Sequence, residues 1–95
     1  MMAIQQYNTN SQELKVQIEI ETRVVANRII GELVAERKHQ GKTQQEIADM
    51  TGMKAPNIAR IEACRFTPTL EVLIRYAKAV GKELHFVLKD AGGGE

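Results

Sequence analysis

The 95-residue sequence has no tryptophan, a single cysteine, two prolines, two phenylalanines and two tyrosines. Each scarcity excludes something. Cys64 alone cannot form an intrachain disulfide, and it leaves no cysteine set for a structural metal. With few aromatics, a core must be built from Ile, Leu, Val, Ala and Met, which suits helices. No apolar run is long enough to cross a bilayer. The opening MMAIQQYNTNSQELK lacks the apolar middle of a signal peptide, so a cytoplasmic protein is expected. The length argues for one small domain. His39 and His85 lie far apart, with no Ser, Cys or carboxylate constellation around either. The reading is therefore not an enzyme, with no catalytic residue, metal or cofactor expected.

What is present is mostly helical periodicity. Residues 1–21 read as an N-terminal arm, partly helical. Ser11 can cap a helix carrying Leu14 and Ile18, although Val16, Ile18 and Ile20 also alternate in a strand-like way. A helix follows from about Thr22 to His39. Ile30, Leu33, Val34 and Arg37 fall on one stripe, and Gly41 ends it. Thr43-Gln44-Gln45-Glu46 has the form of a capping box and opens a second helix that runs to Gly52. A third helix spans about Ala55–Ala63, with Pro56 in its first turn. Thr67-Pro68-Thr69 is a turn, and Thr69 caps a fourth helix with Leu70, Leu73, Ile74, Ala77 and Val80 as its stripe. The period then changes to two over Glu83–Leu88, which reads as one short strand. The expected units are an arm at 1–21, a helical domain at 22–81, a strand at 82–89 and a flexible tail at 90–95.

One run carries more than periodicity. In QQEIADMTGMKAPNIARIEA, Gln44 to Ala63, an alanine stands fifth, a glycine ninth, and isoleucines fifteenth and eighteenth. Ala48 is small enough for two helices to cross closely. Gly52 can take the left-handed conformation of a sharp turn. Ile58 and Ile61 anchor the next helix to a core, which leaves Ala55, Pro56, Ala59 and Arg60 outward. This spacing describes a helix-turn-helix, whose second helix commonly enters the DNA major groove. Charge is distributed to match. Arg37–Arg65 holds six Lys or Arg against three acids, whereas Met1–Thr22 holds three acids and one Lys, within a net charge of only +1. A plain mixed surface is the alternative reading of that charge.

Residues 29–80 resemble the Cro and phage-repressor helix-turn-helix family, also called the XRE family. The resemblance extends to the Lys42-Thr43-Gln44 entry, the Arg60-Ile61-Glu62 exit and the Pro68-Thr69-Leu70 start of the next helix. It implies an all-α, lambda-repressor-like domain of four to five helices with one short C-terminal strand. It also implies DNA contacts from Lys42, Thr43 and Gln44, and base readers among Lys54, Ala55, Pro56, Asn57 and Arg60. The Arg60 fork suits guanine, Ala55 a thymine methyl, and Asn57, Lys42 and Arg65 suit phosphates. Similar repressors pair an arginine late in helix one with the glutamate ending helix three, which marks Arg37 and Glu62 as a structural pair. Two residues depart from the pattern. Lys54 stands where Ser or Thr usually caps helix three, and Cys64 stands where Gly often closes it.

The ending Gly81–Leu88 resembles antitoxin-type members of the HigA-like or HipB-like kind. That resemblance implies pairing of the tail with its symmetry mate, or a toxin partner. Leu84, Phe86 and Leu88 would then join two copies, unless the strand packs on its own domain. The leading expectation is a sequence-specific repressor that binds double-stranded DNA as a homodimer. The alternative is an antitoxin that binds a toxin and represses its own operon.

Overall fold

The computed structural model describes residues 11–92, and the readings made for residues 1–10 and 93–95 lie outside them. Four helices follow one another: α1 Ser11–His39, α2 Gln44–Thr51, α3 Ala55–Glu62 and α4 Leu70–Ala79. α1 is unbroken for 29 residues. Residues 11–21 are helical, and the alternation of Val16, Ile18 and Ile20 makes no strand. In a helix Ile18 points away from Val16 and Ile20, which share the opposite face, and all three are exposed. Only the C-terminal half of α1 enters the core, through Ala26, Ile30, Leu33 and Arg37. That is the helical stripe i, i+4, i+7, i+11. Val34 is only half-buried beside it.

The core is assembled from all four helices. Ile30 and Leu33 meet Ile47 and Ala48 of α2, Ile58 and Ile61 of α3, and Leu73, Tyr76, Ala77 and Ala79 of α4, with Val80 just beyond. On α4 the expected stripe needs correction. Leu70 is about half exposed and Ile74 is half-buried, while Tyr76 is fully buried. Tyr76 has a polar tip, and a periodicity count of apolar residues passes over it.

Local chemistry sets the helix ends. The Thr43 hydroxyl accepts from the Glu46 N–H at 3.0 Å, and the Glu46 carboxylate accepts from the Thr43 N–H at 2.7 Å. These two bonds satisfy donors that the first turn of α2 would otherwise leave bare. The Thr69 hydroxyl accepts from the Val72 N–H and starts α4. The carbonyls ending α4 find donors on the α1–α2 connection. Val80 O accepts from Gln40 Nε2 at 2.8 Å, and Ala79 O accepts from Lys42 Nζ at 3.1 Å.

The C-terminal strand does not form. Residues 82–90 carry no regular secondary structure, and no strand occurs among the described residues. A strand needs a neighbouring backbone for its N–H and C=O groups, and four helices offer none. Within this segment Leu84 packs against the core, whereas Phe86, Val87 and Leu88 are exposed.

Candidate nucleic-acid interface

α2 and α3 cross where both are narrow. Ala48 is fully buried at the junction. Gly52 ends α2 with φ +76°, and the Met53 N–H donates to Ala48 O at 3.1 Å. The Thr51 hydroxyl donates to Ile47 O and closes the last turn. With this corner fixed, Ile58 and Ile61 pull α3 onto the core by its inner face. Pro56, Asn57 and Arg60 are left exposed on the outer face, with Lys54 just before the helix and Ala55 half-buried at its start.

The ends of α3 settle both departures noted in the sequence. Lys54 holds the N-cap position but its side chain makes no cap bond. Its carbonyl accepts from the Asn57 and Ile58 N–H groups, so the helix starts without the usual hydroxyl. Pro56 removes one N–H from the first turn and so reduces what a cap must satisfy. At the other end Cys64 adopts φ +57°, the left-handed conformation that glycine would enter freely. The Cys64 carbonyl then accepts from Arg23 Nη2 at 3.1 Å, which ties the loop after α3 to α1.

Beneath the surface lies a buried ion pair. Arg37 Nε donates to Glu62 Oε2 at 2.8 Å and Arg37 Nη2 donates to Glu62 Oε1 at 2.9 Å, with both side chains about one-tenth exposed. This is the paired-fork geometry that makes arginine–carboxylate contacts strong. The other guanidinium nitrogen donates to Lys42 O at 2.8 Å. Tyr76 Oη donates to Glu62 Oε2 at 2.5 Å and Gln44 Nε2 donates to Glu62 Oε1 at 2.9 Å. Glu62 thus gathers α1, α2 and α4 around the end of α3. Burial pushes its carboxyl up, but the hydrogen bonds from Arg37, Tyr76 and Gln44 together outweigh it and hold the group below the usual range. The Glu62 bonds raise Arg37, and burial followed by the neighbouring carboxylate raises Tyr76.

The expected contact residues are therefore not equivalent. Pro56, Asn57, Arg60, Arg65 and Lys54 are exposed together on or beside α3. Thr43 lies at the N-terminus of α2, and its hydroxyl accepts in the cap while its own proton stays available to donate. Gln44 stands beside it with its amide held by Glu62. Lys42 places its ammonium on the C-terminal carbonyl of α4. Phe66 escaped the sequence reading altogether. The Arg60 guanidinium lies 5.5 Å from the centre of its ring, a cation–π distance. Phe66 sits in an irregular loop where no periodicity could signal it. Among the described residues, no group of three or more His, Cys, Asp or Glu could hold a metal ion.

Known proteins share this arrangement at the level of sequence. A family model described as helix-turn-helix matches residues 33–87. A Haemophilus influenzae protein described as an uncharacterized HTH-type transcriptional regulator is 33% identical over 81 residues, which cover 85% of this chain and 83% of that one. Antitoxin HigA1 of Mycobacterium tuberculosis is 36% identical over 64 residues, 67% of this chain and 43% of that one. An uncharacterized HTH-type transcriptional regulator of Methanothermobacter thermautotrophicus is 38% identical over 47 residues, half of this chain and 68% of that one. No solved structure matches.

Proposed function

The chain belongs to the helix-turn-helix family of DNA-binding regulators, and we propose that it is a sequence-specific repressor that binds its operator as a homodimer. The observation that carries this reading is the outer face of α3. Lys54, Pro56, Asn57 and Arg60 are exposed there, Arg60 over the Phe66 ring, while Ile58, Ile61 and Glu62 fix the helix from behind. Arg60 reads guanine through its paired donors, and Ala55 meets a thymine methyl. Thr43, Gln44, Asn57, Lys42 and Arg65 hold phosphates and set the register. Lys42 reaches DNA by leaving the Ala79 carbonyl, which exchanges one acceptor for a stronger one.

Two copies present two α3 helices one turn of DNA apart, ~34 Å. Of Leu84, Phe86 and Leu88, the last two take part in joining them, a role supported by their exposure, whereas Leu84 packs against its own core. The working unit is residues 22–81, with the segment 82–89 as its connection to a second copy and 90–95 as tail. No helix among the described residues is long and apolar enough to cross a membrane, and we place the protein in the cytoplasm with DNA.

An operator selected from random duplexes tests the reading. Arg60→Ala should weaken binding to that operator more than to random DNA. Lys42→Ala should weaken both alike and lower the salt slope by about one. If neither substitution changes binding, α3 is not the reading helix. The similarity to antitoxin HigA1 favours one second reading, an antitoxin that also represses its own operon. Co-purification with a small basic nuclease-like protein from the neighbouring gene would select it.

A further inference from the structure

The N-terminal half of α1 is sparsely packed, and Arg23 ties it to the loop after α3 through the Cys64 carbonyl. Residues 11–25 are exposed except for the half-buried Leu14, and the first buried residue is Ala26. Those fifteen residues extend for about 22 Å at 1.5 Å per residue. The radius of gyration is 16.8 Å, against about 12 Å expected for a compact chain of this size. A helical stretch of such length with so few tertiary contacts is marginal in water. Yet it carries Leu14, Ile18 and Val25 on one face, with Ile18 about half exposed.

That face runs into a groove. Val25, Ala26 and Ile29 form one wall, and Pro68, Leu70 and Leu73 form the other, enclosing about 490 Å³. Phe86 and Ile18 line it as well. The chain thus holds an apolar ridge, Leu14 and Ile18, in line with an apolar groove.

We propose that the occupant of this groove is the α1 ridge of a second copy, lying antiparallel, and that this exchange is the dimer interface. Two features favour that occupant. In a pair centred between Glu21 and Thr22, Leu14 of one copy meets Ile29 of the other and Ile18 meets Val25. Each ridge then enters the other groove, as an isologous two-fold contact requires. Charge agrees with the direction. Residues 11–21 carry Glu13, Glu19 and Glu21 against Lys15, whereas residues 22–32, which they face in this register, carry Arg23 and Arg28 against Glu32. Antiparallel pairing lays the acidic stretch over the basic one, and parallel pairing lays like on like. Phe86, which lines the groove, brings the segment 82–89 into the same interface. The inference deepens the dimer part of the regulator reading and rests on it, but it does not depend on DNA.

Light scattering over a range of concentrations, with circular dichroism to check folding, tests it. The full chain should have twice the chain mass. Ile18→Glu should raise the dimer dissociation constant roughly 100-fold, a loss of about 2.8 kcal/mol. Ile20→Glu, on the opposite face, should leave the dimer intact. Glu21→Cys in a Cys64→Ser background should cross-link under mild oxidation. A dimer that survives Ile18→Glu, yields to Ile20→Glu or fails to cross-link at residue 21 overturns the α1 interface and leaves the dimeric regulator standing. A full chain of single mass at every concentration overturns both, and assigns the groove to a different protein. Should Ile18→Glu not fold, the cross-link and Ile20→Glu decide alone.

Discussion

Glu62→Gln removes one charge from the buried pair and leaves Arg37 without its anion. Glu62 accepts two bonds from Arg37, one from Tyr76 and one from Gln44, and both members of the pair are about one-tenth exposed. The amide that replaces it has one acceptor oxygen and turns an NH2 toward donors. Breaking a buried pair from one side costs about 3–5 kcal/mol, because the remaining charge stays desolvated. That is a large share of the roughly 5–15 kcal/mol that stabilises a domain. Urea unfolding at pH 7 measures it. With a slope near 1.5 kcal/mol/M, the midpoint should fall by about 2–3 M. A double-mutant cycle with Arg37→Met and Glu62→Leu isolates the pair. The double variant removes both charges, so its loss should fall short of the summed single losses by about 2 kcal/mol or more. A coupling below about 0.5 kcal/mol would show that the pair is not a stabilising unit.

Acid should act on the same residue. The folded-state carboxyl of Glu62 lies below its ordinary 4.5, so its contribution is complete above that pH and is lost as pH falls through the depressed value. Stability should therefore decline below about pH 4.5, and Glu62→Gln should flatten that limb in a pH series of urea melts. Tyr76→Phe keeps the ring and removes one donor to a charged acceptor, so it should cost about 1.5–3 kcal/mol by thermal or urea melts, and no loss would refute the role given to its hydroxyl. Gly52→Ala meets no atom within 4 Å but must adopt φ +76°, so the expected loss is about 1–2 kcal/mol from strain alone. Phe66→Leu should free the Arg60 guanidinium and weaken binding to a selected operator at its guanine position, with random DNA unaffected.

Much of the helix-turn-helix was legible in the sequence alone. The Ala48–Gly52–Ile58–Ile61 spacing states a close crossing, a left-handed turn and two anchors, each a local demand on residue type. The capping box of Thr43 and Glu46 and the cap of Thr69 were legible for the same reason. The roles of the contact residues were less so, because spacing places a residue on a face without saying what else its side chain touches. Lys42 and Gln44 are both engaged by groups distant in sequence, at Ala79 and Glu62.

By itself the sequence determined the helix-turn-helix and its family, since both follow from periodicity, caps and one glycine. Tertiary structure alone decided three further matters. It brought Tyr76 and Gln44 to Glu62, contacts that span 14 and 18 residues and have no local signal. It left residues 82–90 without a ladder, because a strand depends on a second backbone and not on its own alternation. It also set the face of α1 that carries Ile18 and Val25 in line with the groove at Pro68 and Leu70. Local rules state which face of a helix is apolar, and only the packed chain shows which part of that face remains to be covered.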